Sequence, residues 1–183
     1  IYNITSVIAV LYNLNIDIEV IKYIISILNP PIGRMEVIPY NTNKIIIDYA
    51  HTPDALENII NAVKNFSQGK IYTIIGCGGN RDKLKRPVMA RTATKNSDYV
   101  IFTTDNPRDE EPLDIINDMT TNLQNNNYEI EINREKAIIK GIQKLDKNDI
   151  LLVLGKGHET YQIINGEKHH FSDKEKVIGF IGR

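Results

Sequence analysis

Asp98-Tyr99-Val100-Ile101-Phe102-Thr103-Thr104-Asp105-Asn106-Pro107-Arg108 is the stretch that decides how this chain folds. Its first five residues read as a compact strand, and a helix is predicted from about Pro112 to Leu123. In an open α/β sheet, ligands bind in the crevice beyond the carboxyl ends of the strands. Here that position carries a carboxylate, an amide and a guanidinium within four residues, Asp105 to Arg108. Pro107 fixes its own φ and biases Asn106 away from helix, so the loop is extended and semi-rigid. Arginine grips a carboxylate bidentately, which is what recognition of a zwitterion such as an amino acid requires. Taken alone, the stretch is equally compatible with a solvated loop bearing a surface ion pair.

Working outward, strands and helices alternate on both sides. Strands are predicted at Met35 to Pro39, Lys44 to Asp48, Lys70 to Ile75, Tyr128 to Ile132 (at an edge) and Asp149 to Leu154. Helices are predicted from Pro53 to about Phe66, about Arg86 to Lys95, Arg134 to Leu145 and Asp173 to Ile181. Gln162 to Phe171 reads as a hairpin with Asn165-Gly166 at its turn. The expected fold class is α/β: a Rossmann-like, mostly parallel sheet with helices on both faces. Before it, residues 1 to 28 read as two amphipathic helices, with Asp17 as an N-cap. They are apolar enough to need a partner surface, and Asn29-Pro30-Pro31-Ile32-Gly33 is a stiff linker and the expected boundary.

Composition narrows the classes of function. The 183 residues have a formal net charge of −1, without the basic excess that nucleic-acid binding demands. The single cysteine, Cys77, rules out an internal disulfide framework and suits a cytosolic setting. No segment reaches the uninterrupted apolar length of a membrane span and no signal peptide is read, so membrane insertion is not expected.

If the sheet is parallel, the loops after successive strands share one edge, and these loops hold the chemistry. The first is Asp48 to Asp54, where Asp48 can accept from hydroxyls and His51 can meet a phosphate at a helix N-terminus, or either can serve as a local cap. The second, Gly76 to Pro87, pairs glycines with Arg81, Lys83, Lys85 and Arg86 and reads as an anion-binding turn. It matches neither the GxxxxGK[ST] phosphate loop nor GxGxxG. Cys77 within it has no nearby base and reads as a small buried thiol. The third is the opening stretch. The fourth is Gly155 to Tyr161, where Glu159 can receive an ammonium while Lys156 and His158 face phosphate. The adjacent His169 and His170 point to opposite faces of a hairpin, so no metal site is expected from them.

Taken in order, Gly33-Arg34-Met35-Glu36, Asp48 to Leu56, Gly76 to Pro87, Asp105-Asn106-Pro107-Arg108 and Gly155-Lys156-Gly157-His158-Glu159 resemble the C-terminal part of the Mur ligase family, most closely its members that add meso-diaminopimelate. The resemblance runs along the whole chain. It implies that residues 1–33 are the helical end of a central ATPase domain with its linker, and that 34–183 form the domain that binds the incoming amino acid. The activity implied is ATP- and Mg²⁺-dependent amide-bond formation in peptidoglycan synthesis. A carboxylate of UDP-MurNAc-L-Ala-D-Glu is activated as an acyl phosphate, and the amine of meso-diaminopimelate displaces the phosphate. By the same resemblance, Arg86, Asp105, Asn106 and Arg108, with the Gly155 carbonyl and Glu159, hold diaminopimelate, while Asn3, Arg34, Asp48 and His51 lie on the nucleotide side. Family members that add L-lysine carry aspartate where Asn106 stands; a carboxylate there repels the distal carboxylate that diaminopimelate has and lysine lacks. No catalytic residue and no metal ligand is expected within the chain, which by itself should be an inactive, monomeric, cytoplasmic piece. The alternatives are another superfamily member, lysine-adding or similar to folylpolyglutamate synthases, and a stand-alone module that senses an amino acid or nucleotide.

Overall fold

The computed structural model describes residues 2–28 and 31–182, apart from the side chains of Tyr2 and Asn3; the predicted linker's Asn29 and Pro30 lie outside the described residues. The chain divides into two compact units, Ile1–Pro31 and Ile32–Arg183. The first holds helices α1 (Tyr2–Asn13) and α2 (Ile18–Ile27). Asp17 caps α2 as its position predicts, its Oδ1 accepting the Glu19 N–H at 2.8 Å. Ile4, Val7, Tyr23 and Ile27 are exposed on these helices.

In chain order, the second unit contains β1 (Glu36–Tyr40), β2 (Asn43–Asp48), α3 (Pro53–Lys64), β3 (Ile71–Ile75), α4 (Lys85–Asn96), β4 (Tyr99–Phe102) and α5 (Pro112–Thr120). It continues with β5 (Tyr128–Ile130), α6 (Arg134–Gln143), β6 (Ile150–Leu154), the hairpin strands β7 (Tyr161–Ile164) and β8 (Glu167–His170), and α7 (Asp173–Ile181). Six strands form one sheet in the order β1-β2-β6-β3-β4-β5. Only β1 runs antiparallel to its neighbour. The fold is therefore the Rossmann-like α/β class that the alternation implies.

The sheet has two buried faces because its strands are apolar at successive positions. Ile46, Leu152 and Ile75 pack with Leu56, Ile60, Met89 and Ile115 of α3, α4 and α5. Ile45, Ile47, Ile74 and Val153 pack with Ala137, Ile138 and Val177 of α6 and α7. Each such side chain removed from water is worth about 1.5–3 kcal/mol, which is why near-continuous isoleucine runs are stable here. Thr52 and Ser172 cap α3 and α7 with their hydroxyls.

Several predicted ends are shortened, among them α3, which stops at Lys64 rather than Phe66, and α6, which stops at Gln143 rather than Leu145. The edge strand stops at Ile130 rather than Ile132: the Ile132 carbonyl accepts the Thr104 hydroxyl at 2.6 Å, with the Thr103 hydroxyl and the Thr104 N–H farther off at 3.4 Å, and the chain turns into the Asn133 cap of α6. Helix α5 stops at Thr120 rather than Leu123; Thr121 is extended and Asn122 is left-handed at φ 57°. The β7–β8 turn has Asn165 and Gly166 at φ 50° and 78°, the paired positive values that a tight two-residue hairpin needs.

Candidate functional site

The loops after β2, β3, β4 and β6 meet at one end of the sheet around a cleft of ≈ 440 Å³. This is an ordinary size for a small-molecule site. The first loop contributes Tyr49 and His51, and the glycine turn contributes Gly76, Cys77, Gly78, Arg81 and Lys85. Asp105, Asn106 and Arg108 come from the third loop, and Gly155, Glu159 and Tyr161 from the fourth.

Arg108 lines the cleft in an unusual backbone conformation. It is left-handed at φ 54°, a costly conformation for a residue with a Cβ. The hairpin holds it there: the Arg108 N–H donates to the Ile163 carbonyl at 2.9 Å, and the Asn165 N–H donates to the Arg108 carbonyl at 2.7 Å. Its Nη1 donates to the Gly79 carbonyl at 2.8 Å. Among the described residues, Arg81, Lys85 and Arg108 form no salt bridge, so three cations face the cleft without carboxylate partners.

Asp105, Asn106 and Glu159 form another part of the cleft wall, and Arg108 Nη1 lies 3.4 Å from the Asn106 carbonyl. Asp105 is 9% exposed, and none of the hydrogen bonds among described residues reaches its carboxylate. Burial pushes its pKa up, against the opposing pull of Arg134 and Lys156. Gly155 makes room for it: φ is +107°, and a Cβ there would lie 2.8 Å from Asp105 Oδ2. Asn106 Nδ2 donates to Glu159 Oε2 at 2.9 Å, while its Oδ1 accepts from the Ile163 N–H at 3.0 Å and from Lys156 Nζ at 3.3 Å. Behind this wall, Arg134 and Asp173 form an ion pair with no exposure on either side chain. Arg134 also donates to the Leu154 carbonyl at 2.9 Å, bracing the end of β6.

Not every expected residue arrives at the cleft. Arg86, expected to grip a donor carboxylate, does not line it. Arg86 is fully buried and holds Glu110 through both terminal nitrogens at 2.8 and 2.9 Å, and Asp118 at 2.7 Å. The first turn of α4 directs it toward α5, where two carboxylates are already waiting, so it braces the glycine turn instead. Lys156, expected to face phosphate, is buried with its ammonium turned inward. The glycine turn also spends an amide that anion binding would need, since the Gly79 N–H donates to the Asn106 carbonyl at 2.9 Å.

Asp48 is only 8% exposed, and its two oxygens accept the Ala50 and Met35 N–H groups at 2.8 Å each. It shapes its loop from within. His51 and Arg34 remain accessible beside Tyr49, with the Arg34 guanidinium 5.0 Å and the His51 ring 4.6 Å from the Tyr49 ring centre. Asn3's side chain lies outside the described residues. Cys77 is buried, and burial pushes its thiol up to about 12, so it is inert as a nucleophile. Among the described residues, no three His, Cys, Asp or Glu converge as a metal cage.

Sequence reasoning missed Glu110 and Tyr161. Glu110 sits in a loop with no periodicity to mark it. Tyr161 was legible only as the last residue of the fourth loop, with no role given to it; its proximity to Glu159 was the available signal.

A parallel-sheet domain whose cleft beyond the strand ends holds both cations without carboxylate partners and a buried carboxylate has a lining suited to small zwitterionic or phosphorylated ligands. Residues 33–157 match the family model for the Mur ligase, glutamate ligase domain, and the chain belongs to that family. A Clostridium perfringens UDP-N-acetylmuramoyl-L-alanyl-D-glutamate–2,6-diaminopimelate ligase is 47% identical over 184 residues, covering 99% of this chain and 38% of that protein. The Bacillus cereus protein of the same name is 46% identical over 176 residues, covering 96% and 36%. A solved structure of a ligase of that name superposes with a TM-score of 0.81 at 34% identity, covering 96% of this chain and 36% of the other. The chain thus spans well under half the length of the relatives it matches.

Proposed function

We propose that this chain is the amino-acid-binding domain of an ATP-dependent ligase that joins meso-diaminopimelate to UDP-MurNAc-L-Ala-D-Glu in peptidoglycan synthesis. The observation that carries the reading is the cleft's polarity: Arg108, without a carboxylate partner among the described residues, lines the same cleft as Asp105, which is buried without a hydrogen-bond donor. Such a cleft suits a ligand end with both a carboxylate and an ammonium. Arg108 takes the carboxylate bidentately, and Asp105, Glu159 and the Gly155 carbonyl receive the ammonium. The names of the similar proteins support the donor and acceptor identities.

On this reading Arg34 and His51, exposed beside Tyr49, meet the nucleotide, and Asp48 supports them by holding the loop. Asn3 remains assigned to the nucleotide side. ATP and Mg²⁺ supply the activation of the acceptor carboxylate, and no residue of the second unit is assigned as a metal ligand. The protein works in the cytoplasm as a monomer, with the cleft holding the amine in fixed geometry while the acyl phosphate is presented to it. Residues 1–33 belong to the ATPase side of the molecule, and 34–183 to the amino-acid side.

The test is an amide NMR titration of the chain with meso-diaminopimelate, and with L-lysine as control. Expected are shifts confined to residues around Asp105, Asn106, Arg108 and Glu159 with diaminopimelate, at concentrations where L-lysine gives none; L-lysine responds only at far higher ones. Equal responses to both ligands would remove the donor assignment, and silence toward both would remove the site.

A further inference from the structure

Lys156 lies buried behind the cleft lining, against Asn106 and Glu159, and the reading above gives it no task. Its side chain is fully buried, so it reaches neither solvent nor ligand. A lysine ammonium has three donors, and here three acceptors meet it: Asn106 Oδ1 at 3.3 Å, Glu159 Oε2 at 3.1 Å and the Tyr161 carbonyl. The first two line the cleft. Every donor of a desolvated cation is thus committed to fixing two ligand-facing side chains and the start of the hairpin.

The consequence for Asn106 is specific. Two donors converge on its Oδ1, from Lys156 and the Ile163 N–H, so the oxygen end of the amide must face inward. The Nδ2 end is then directed to Glu159 and the cleft. The consequence for Glu159 is electrostatic. Its Oε2 is held by Lys156 and Asn106, which leaves Oε1 for a ligand cation and offsets part of its charge. The other charges near this wall are Asp105, Arg108, whose Nη1 lies 3.4 Å from the Asn106 carbonyl, and the mutually paired Arg134 and Asp173. Without Lys156 the wall becomes one unit more negative.

We propose that Lys156 is a specificity-determining positioning residue: by orienting Asn106 and offsetting Glu159, it makes the cleft favour an amino-acid end carrying carboxylate and ammonium over one carrying ammonium alone. The inference rests on the amino-acid-binding reading above and adds the group that sets its selectivity. Removing the charge favours a purely cationic ligand end and leaves the Asn106 amide free to turn.

The experiment compares wild type with K156M by amide NMR titration against meso-diaminopimelate and L-lysine, reading the ratio of the two affinities. The ratio is expected to fall by about tenfold in K156M. A merely structural role would weaken both ligands in parallel, so an unchanged ratio in a folded K156M overturns the inference while the amino-acid-binding reading stands. Wild type that binds neither ligand overturns both. If K156M lacks a folded amide spectrum, K156Q carries the same comparison. In wild type alone, the Asn106 side-chain NH₂ resonances are expected to shift with diaminopimelate, and their failure to move overturns the inference whatever the variants do.

Discussion

Asn106 shows how much one side chain can carry. Its amide satisfies a donor from the hairpin, a buried ammonium and a carboxylate together. Asn106→Asp replaces the Nδ2 donor with an oxygen against Glu159. A lost charge-assisted hydrogen bond costs about 1.5–3 kcal/mol, so diaminopimelate affinity is expected to fall roughly ten- to hundredfold, with nucleotide binding affected less; parallel titrations with both ligands check it. Glu110 gives a pH signature. The Arg86 guanidinium, the Asn80 N–H and Lys83 hold its pKa down at about 2, below the ordinary 4.5. Its stabilisation is therefore complete above pH 4.5 and is lost as pH falls toward 2. Glu36 and Glu131, lowered by Lys174 and Lys140, act with the same sign. Urea midpoints measured across that window should fall less steeply in Glu110→Gln than in wild type. The residue types at the site were readable, because aspartate, asparagine and arginine after a strand announce polar recognition. Which way Arg86 and Lys156 turn was not, because direction depends on Glu110, Asp118 and Glu159, which meet them only in the folded chain.

At the scale of elements, the isoleucine-rich strands and the Asn165-Gly166 turn are strong local signals, and the structure has them where periodicity and turn chemistry put them. Helix and strand ends were less legible: Ile132 is apolar and β-favouring, yet its carbonyl is taken chiefly by the Thr104 hydroxyl at 2.6 Å, with the Thr104 N–H farther off at 3.4 Å. The junction between β6 and the fourth loop tolerates little. Gly155→Ala places a Cβ at 2.8 Å from Asp105 Oδ2 in a left-handed conformation. A destabilisation of about 1–3 kcal/mol is expected, together with loss of the diaminopimelate response, both visible in urea denaturation and the NMR titration. Arg134→Met leaves Asp173 buried and unpaired, which costs about 3–5 kcal/mol. The double variant R134M/D173L should recover part of that loss, and comparing the three urea midpoints decides it.

Over the whole molecule, both apolar layers of the sheet lie inside Ile32–Arg183. A chain beginning at Ile32 is therefore expected to keep the urea midpoint and the cleft amide spectrum of the full 183 residues; a collapse of either would mean that α1 and α2 are integral to the fold. The order of strands in the sheet was not legible. Alternation in sequence says that strands are parallel, but β2 and β3, consecutive in the parallel part of the chain, are kept apart by β6. Nothing local in Asp149 to Leu154 marks it for the centre beyond its being the most apolar strand.

That late central strand has a consequence for how the protein is made. Ile150 pairs with Lys44 on one side and Ile71 on the other, so the middle of the sheet stays open until the ribosome has released residues from the last fifth of the chain. Until then two apolar strands present bare backbone edges to the same gap, the arrangement most prone to capture by another chain. Closing it joins segments far apart in sequence, which makes for slow folding. The nascent chain thus passes through its most aggregation-prone form just before β6 emerges, and a product truncated at Asp149 should collect in the insoluble fraction while the 183-residue chain does not.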